Sequence, residues 1–388
     1  MRGILKVAVF SCMVLAIVFV AWPAQAATEN VLLTFVFNDG YSPTGAQPVT
    51  GVIADAAGNL YGATWAPAVV YELTPNGDGS WNQTILHSFT GTPDGQGPIS
   101  LIFDGQGNLY GATSYGGANG KGTLFKLTPT QSGWTETIVY NFPGGKNGHF
   151  PTGPMIVDKA GNFFLGMLWN VIEVSPSGSG YTSRKIYGGH EGYTITGLTM
   201  DASGNIFCNS AGLVFELTPN NKGRFTTHVL HKFVGGQDDG VFGTGNLVFD
   251  KDGNFYGATQ GGGISGNGTV FEMSPGRHGK WSESIVYSFP SAADPSSGIV
   301  FDAAGNAYGN TKDGGEFGDG TIFQLAAPIQ SGNYNLIWSF NGSDGAVPYG
   351  SLLLDNSGNI YGATYRGGSQ DGECGATAGC GVVYQLVP

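Results

Sequence analysis

The hydrophobic and polar positions of this chain alternate in short runs, and the same order of runs returns about every fifty residues. The most regular part is a polar turn between two apolar runs, as in Leu247 to Asp250 followed by Asn254 to Ala258. Such runs predict β-strands joined by a hairpin turn. The turn begins at an aspartate in seven places, which are Asp55, Asp104, Asp158, Asp201, Asp250, Asp302 and Asp355. Successive copies lie 43 to 54 residues apart, a period typical of propellers and solenoids.

Two further apolar runs complete each unit. The third alternates around one polar position, as in residues 269–275, and it usually ends at a proline, which predicts the end of a strand. The fourth leads from an aromatic residue to phenylalanine or tyrosine, as in Trp281 to Phe289. Only six fourth runs follow a third run, and the seventh, Val31 to Phe37, stands before the first complete unit.

We therefore predict an all-β fold, a seven-bladed β-propeller of four-stranded blades, with the N-terminal strand completing the last blade. This pairing closes the ring and hides strand edges that would otherwise aggregate. A linear solenoid is the alternative, but it would be expected to have distinct capping repeats rather than a split one. Because no linker or composition break is visible, residues 27–388 are predicted to form a single domain.

The aspartate of the repeated turn is interpreted as a structural residue. Its carboxylate can accept hydrogen bonds from the turn amides, and the glycine beside it can adopt positive φ. We therefore expect these seven aspartates to form turns rather than to bind ligands.

The repeat resembles a known family. The phrases GNLYGAT, GGxxGxGTxFxLTP and WxxxxIxYSF look like the GloVer-type tandem repeats of secreted bacterial proteins, and the Asp–Gly–Asn turn is similar to that of NHL and gluconolactonase-like propellers. The resemblance covers nearly all of residues 27–388. It implies an extracellular propeller and does not specify an activity.

The first 26 residues have the pattern of a secretory signal peptide. Arg2 and Lys6 precede an apolar run from Val7 to Trp22, and Ala24-Gln25-Ala26 gives the small-x-small pattern of a cleavage site. A membrane span is the competing interpretation, but the run is short and ends at Pro23. The chain is therefore expected to be secreted, to the periplasm, the cell surface or the medium, without a membrane span.

Charge and cysteine content narrow the function classes. The net charge is −12, from 16 basic and 28 acidic residues, which argues against a nucleic-acid partner. Cys374 and Cys380 flank one short loop and could form a disulfide in an oxidising compartment. Cys208 replaces a glycine of the repeat and is expected to be a buried, unpaired packing residue.

Loops from a fourth strand to the next first strand, and from a second to a third strand, are expected to share one face of the ring. The first set carries six aspartates, and two interpretations of them are open: binding of a hard cation, or ordinary turns on a solvated rim. They are Asp39, Asp94, Asp238, Asp239, Asp294 and Asp344. No D-x-D-x-D loop or histidine cluster supports a metal, so we predict no metal ligand and no cofactor. His87 and His231 lie in a repeated strand position and are interpreted as packing residues.

Departures from the repeat mark the candidate site. Trp65 and Trp169 stand in shortened second-to-third-strand loops and are predicted to bind ligand by stacking on a sugar ring or an apolar partner, together with Glu191. The alternative is that each tryptophan fills the space left by a shorter loop. Two neighbouring loops carry the candidate catalytic residues, which are Lys146, His149, His190 and Tyr193.

The sequence favours a monomeric, non-catalytic, extracellular binding module whose partner is a glycan or an extracellular protein. The alternative is an extracellular polysaccharide lyase that acts on uronic-acid linkages. In it His149 or His190 would be the base, Lys146 would neutralise the carboxylate and Tyr193 would be the acid. Such a substrate is anionic, so the acidic net charge counts against this alternative.

Overall fold

The computed structural model of this protein describes residues 27–37, 45–145, 150–189, 193–329, 333–368, 374 and 379–388. These residues form seven four-stranded antiparallel sheets, with a short 3-10 turn at Arg277–Gly279. The prediction of an all-β propeller with seven four-stranded blades is confirmed.

The strands follow the repeat in chain order. Blade 1 has β2 (Ile53–Ala54), β3 (Leu60–Ala63), β4 (Val69–Pro75) and β5 (Trp81–Ser88); blade 2 has β6 (Gln96–Phe103), β7 (Leu109–Tyr115), β8 (Thr123–Thr130) and β9 (Gly133–Asn141). Blade 3 has β10 (Pro151–Val157), β11 (Phe163–Met167), β12 (Asn170–Ser177) and β13 (Gly180–Gly188); blade 4 has β14 (Ile195–Met200), β15 (Ile206–Ser210), β16 (Leu213–Pro219) and β17 (Phe225–Lys232).

The last three blades repeat this order. Blade 5 has β18 (Gly240–Phe249), β19 (Phe255–Gly262), β20 (Thr269–Pro275) and β21 (Trp281–Ser288); blade 6 has β22 (Val300–Phe301), β23 (Ala307–Thr311), β24 (Thr321–Leu325) and β25 (Tyr334–Ser339). Blade 7 joins β26 (Ala346–Leu354), β27 (Ile360–Arg366) and β28 (Val382–Val387) to β1 (Thr28–Thr34).

Blade 7 is closed by the N-terminal strand, as the split repeat predicts. Strand β1 pairs antiparallel with β28, from Thr28 opposite Val387 to Thr34 opposite Val382. Just beyond β1, Phe35 is fully buried, donates its backbone N–H to the Gly381 carbonyl at 3.0 Å, and packs edge-on against Tyr71 of blade 1. The segment of residues 27–37 therefore contacts both the last blade and the first complete blade.

The repeated aspartates form turns, as expected. In the first copy, Asp55 Oδ1 accepts the backbone N–H groups of Ala57 and Asn59 at 2.8 and 3.0 Å, and Oδ2 accepts the Asn59 side-chain amide and the Tyr61 hydroxyl. The other six copies repeat the two bonds to backbone amides and the bond from the asparagine side chain. Burial alone would raise the pKa of Asp55, but these hydrogen bonds together hold it below its usual value.

Hydrophobic clusters join neighbouring blades. In one of them, Leu124 and Phe142 of blade 2 pack with Leu165 and Ile172 of blade 3, all nearly or completely excluded from water. Each blade contributes one sheet face to such a cluster, so its hydrophobic surface is covered only when the next blade is present.

The two cysteine predictions are confirmed. Cys374 and Cys380 form a disulfide, and Cys208 is fully buried and unpaired.

Glu29 makes the closure strand sensitive to pH. Its desolvation, followed by the nearby charge of Asp344, raises its pKa to about 8. Burial, and then the charge of Glu29, raises the pKa of Tyr384 on β28. The unfolded chain releases the Glu29 proton near pH 4.5, whereas the folded chain keeps it up to about pH 8, so Glu29 lowers stability as the pH rises through that window.

We therefore expect Glu29→Gln to raise the melting temperature at pH 9, with little effect at pH 4. Thermal unfolding of both proteins across this range measures the difference. The exposed Glu316 provides the control, since Glu316→Gln should leave the pH profile unchanged. A Glu29→Gln profile parallel to that of the wild type would contradict the prediction.

Candidate functional site

A central cavity of about 880 Å³ lies on the ring axis, and the first strands of all seven blades, or the residues just before them, line it. Residues 49–53 of blade 1 and 349–351 of blade 7 form one side of its wall, and residues 152–155 of blade 3 and 244–246 of blade 5 also contribute. Its volume falls within the range typical of ligand pockets.

Several side chains on the wall of the cavity carry hydroxyl groups. Thr196, Thr244 and Ser296 line it, and each hydroxyl donates to a backbone carbonyl. The hydroxyl of Ser100, which also lines the cavity, is buried and has no hydrogen-bond partner among the described residues.

Aromatic side chains stand at one end of the cavity. Trp65 follows β3 and is 38% exposed, and its ring lies against the backbone of Gly97 in blade 2 and edge-on to Tyr115 at 6.2 Å. Tyr349 and Tyr365 line the cavity from blade 7. This end therefore belongs to the face made by the second-to-third-strand loops, as the sequence predicts.

The same end carries two cations and one acid. Lys312 and Arg366 line the cavity together with Asp313. Lys312 Nζ lies 3.3 Å from Asp294 Oδ2, which anchors that side chain, whereas Arg366 is exposed. The charged side chains that line this end therefore do not carry a net negative charge, although the whole chain has a net charge of −12.

Of the other predicted site residues the structure describes two, Trp169 and Tyr193, and neither of them lines this cavity. Trp169 is half-buried between β11 and β12, its carbonyl accepts the Gly189 N–H at 2.7 Å, and it is not among the described residues that line the cavity. Tyr193 is half-buried against Gly212, so close that a Cβ atom on Gly212 would lie 1.9 Å from its ring. Lys146, His149, His190 and Glu191 lie outside the described residues, as do Asp39 and the signal segment 1–26. The catalytic assignment therefore stays a prediction.

The aspartates of the fourth-to-first-strand loops do not form a crown over the cavity. Asp94 accepts the backbone N–H of Thr90, and Asp239 accepts those of Val234 and Gly240. Their carboxylates also contact the fourth strand of the preceding blade, where the partners are His87, His231 and, for Asp344, Trp338. Asp94, Asp239 and Asp344 thus each bind an outer strand. None of the loop aspartates that the structure describes lines the cavity.

Interpreting His87 and His231 as packing residues is incomplete. Both rings pack edge-on against a phenylalanine two residues later, but each also meets two carboxylates, one from the following loop and one from the next blade. Burial, and then the charge of Asp94, raises the pKa of Glu136 to about 7. Burial also raises the pKa of Glu283 to about 7 against the opposing effect of His231.

A sequence signal for these clusters was present. The histidine lies two residues before the final phenylalanine of a fourth strand, and the glutamate lies six residues before the final phenylalanine of the next fourth strand. Comparing these two positions between adjacent repeats, rather than within one repeat, would have paired them.

Comparison with known proteins identifies the repeat. The family model for the Gloeobacter/Verrucomicrobia repeat matches residues 17–209 and 203–378. The chain belongs to the Gloeobacter/Verrucomicrobia repeat family. Each match extends over several blades of the propeller. No curated protein sequence matches the chain significantly.

Several solved structures share the fold of this family member but have low sequence identity to it. A streptogramin B lyase aligns with a TM-score of 0.59 and 15% identity, over 93% of this chain and 97% of the other. A virginiamycin B lyase from Staphylococcus aureus aligns with a TM-score of 0.61 and 14% identity, over 93% and 99%. A protein from Lactobacillus plantarum aligns with a TM-score of 0.55 and 14% identity, over 93% and 100%. At these identities the likeness establishes the fold alone.

The described part of this Gloeobacter/Verrucomicrobia repeat protein contains no helix that is both long enough and apolar enough to cross a bilayer.

Proposed function

We propose that this protein is a secreted, non-catalytic binding module that holds a carbohydrate in its central cavity. The observation that supports it most directly is the lining of this cavity, which combines the aromatic side chains of Trp65, Tyr349 and Tyr365 with residues that carry hydroxyl groups. Sugar rings present apolar C–H faces and many hydroxyl groups, so stacking on aromatic rings and hydrogen bonding to hydroxyls are the contacts they need.

Location outside the cytoplasm is part of this proposal. The apolar segment after Arg2 and Lys6 has the pattern of a secretory signal, and the Cys374–Cys380 disulfide suits an oxidising compartment. Mass spectrometry of the protein from culture medium and periplasm tests it. A mature N-terminus at Ala27 is expected, and an uncleaved chain in the cytoplasm would contradict it.

A glycan array followed by calorimetric titration tests the binding proposal. Trp65→Ala should weaken binding of a glycan found on the array by about tenfold or more, equivalent to about 1.4 kcal/mol, because the residue lines the opening. Phe317→Ala is the matched control, since this aromatic side chain is 57% exposed and does not line the cavity. Equal affinities of Trp65→Ala and the wild type would contradict the proposed site, and capture of proteins alone would favour the other partner class.

An assay on uronic-acid polysaccharides separates this proposal from the lyase alternative. Unsaturated product at ultraviolet wavelengths that disappears in His149→Ala plus His190→Ala would replace the non-catalytic proposal with a lyase. Binding without product, which we expect, would retain it.

A further inference from the structure

Two equivalent side-chain clusters lie away from the cavity, at the outer strands of the ring. In the first, His87 of β5 places Nε2 at 3.3 and 3.2 Å from the two carboxylate oxygens of Asp94. Glu136 of β9, the fourth strand of the next blade, completes the group, and one donor atom from each residue lies within 4.8 Å of the others. The cluster thus spans two blades.

The second cluster repeats this arrangement three blades further along the ring. His231 of β17 lies 2.9 Å from Asp239 Oδ1, and Glu283 of β21 supplies the second carboxylate. Its three donor atoms also lie within 4.8 Å of one another. The same residue types therefore converge at the same repeat positions in two separate blade pairs.

The glutamates have an unused oxygen in both clusters. Oε1 of Glu136 and Oε1 of Glu283 are buried and have no hydrogen-bond partner among the described residues. A buried carboxylate oxygen without a donor is unfavourable, since nothing replaces its hydration. Glu29 Oε1 at the equivalent position of blade 7 is also buried without a partner among the described residues, so the histidine is what distinguishes the two clusters as metal sites.

We infer that each cluster binds one divalent cation of the zinc type, through His87, Asp94 and Glu136 in one site and His231, Asp239 and Glu283 in the other. One imidazole nitrogen and two carboxylate oxygens form a donor set that Zn²⁺ accepts, with a fourth position left for water. The cation neutralises two neighbouring carboxylates, and a glutamate oxygen becomes one of its ligands. It also links the fourth strands of adjacent blades. This goes beyond the sequence analysis, which predicts no metal ligand.

The chain contains a natural control at a third equivalent position. There Asp344 and Glu29 supply the carboxylates, but Trp338 replaces the histidine and donates its indole N–H to Asp344 Oδ2 at 3.2 Å. An indole N–H can donate a hydrogen bond but cannot ligate a cation. The third position should therefore bind no zinc, although it carries the same two carboxylates.

Titration of the chelator-treated, untagged protein with Zn²⁺ tests the inference, with the bound metal counted by elemental analysis. Glu136→Gln and Glu283→Gln should each lose one equivalent, and the double variant should lose two. Glu29→Gln should retain the wild-type count. Because glutamine has the shape of glutamate, the variants should remain folded, which circular dichroism of the metal-free proteins checks.

Cobalt provides a second measurement that does not depend on stability. Co²⁺ bound to the wild type should show the visible absorption of a four-coordinate site. Each Gln variant should lose about half of this absorption. A Gln variant that binds as much metal as the wild type would overturn the inference for that cluster. A wild-type protein that takes up no Zn²⁺ at stoichiometric concentration would overturn it for both.

Discussion

Removal of residues 27–37 is expected to abolish stable folding or to make the protein aggregate. The deletion removes β1 and the fully buried Phe35, and it exposes the whole hydrogen-bonding edge of β28. Truncating a single buried phenylalanine typically costs about 3–5 kcal/mol, while whole domains are stable by only about 5–15 kcal/mol. An open edge of this length is also a template for association between chains. Light scattering and thermal unfolding measure both effects.

A circular permutant is the control for this deletion. Because Thr28 pairs with Val387, a short turn can join the C-terminus to residue 27, with the new chain starting at Gly45. The permutant keeps every contact of β1 but loses its covalent link to blade 1. We expect it to be folded and monomeric, with a lower melting temperature than the wild type. If the simple deletion were also monomeric with an unchanged melting temperature, ring closure by β1 would not support the fold.

The fold was predictable because each blade repeats one order of strands and one turn. The carboxylate of Asp55 and its six counterparts satisfies the same turn amides each time, so local chemistry places the hairpin wherever the motif occurs. The split repeat also revealed the closure, since a fourth strand without its own third strand needs β28 as a partner. Local patterns therefore fixed both the blade and the order of strands within it.

The site was less predictable because its residues come together only across blades. Of the two tryptophans singled out by their departure from the repeat, Trp65 lines the cavity and Trp169 does not. The difference depends on where each loop lies relative to the axis, which a comparison of single repeats does not contain. Arg366 and Ser100 stand in ordinary repeat positions, and only the closed ring shows that both reach the same cavity.

Close packing of backbone at the centre of the ring explains why the first strands are irregular. Pairing in β18 shifts between Thr244 and Val248, and Gly245 in this bulge has φ +66°. The bulge brings its backbone against Ser297 and Gly298 of blade 6. Glycine is thus required here for two separate reasons, its positive φ and the absence of a Cβ atom.

We expect Gly245→Ala to destabilise the protein by about 3 kcal/mol or more, a loss characteristic of strain combined with a steric clash. A Cβ atom at this position would lie 1.7 Å from the Gly298 backbone nitrogen, so blades 5 and 6 would have to separate. Denaturant unfolding measures the loss. Because the residue lines the cavity, the variant should also weaken ligand binding.

Substitutions at two other glycines separate the effect of backbone strain from that of the steric clash. Gly253 has φ +86° with nothing within 4 Å of an added Cβ, so Gly253→Ala tests backbone strain alone and should cost about 1 kcal/mol. Gly197 is not in the left-handed region, but its Cβ would lie 2.0 Å from the Gly245 carbonyl oxygen, so Gly197→Ala tests the clash alone. If close packing between blades dominates, Gly197→Ala will resemble Gly245→Ala. If it resembles Gly253→Ala instead, the inner strands can move apart at little cost, and close packing between neighbouring inner strands is not what stabilises the ring.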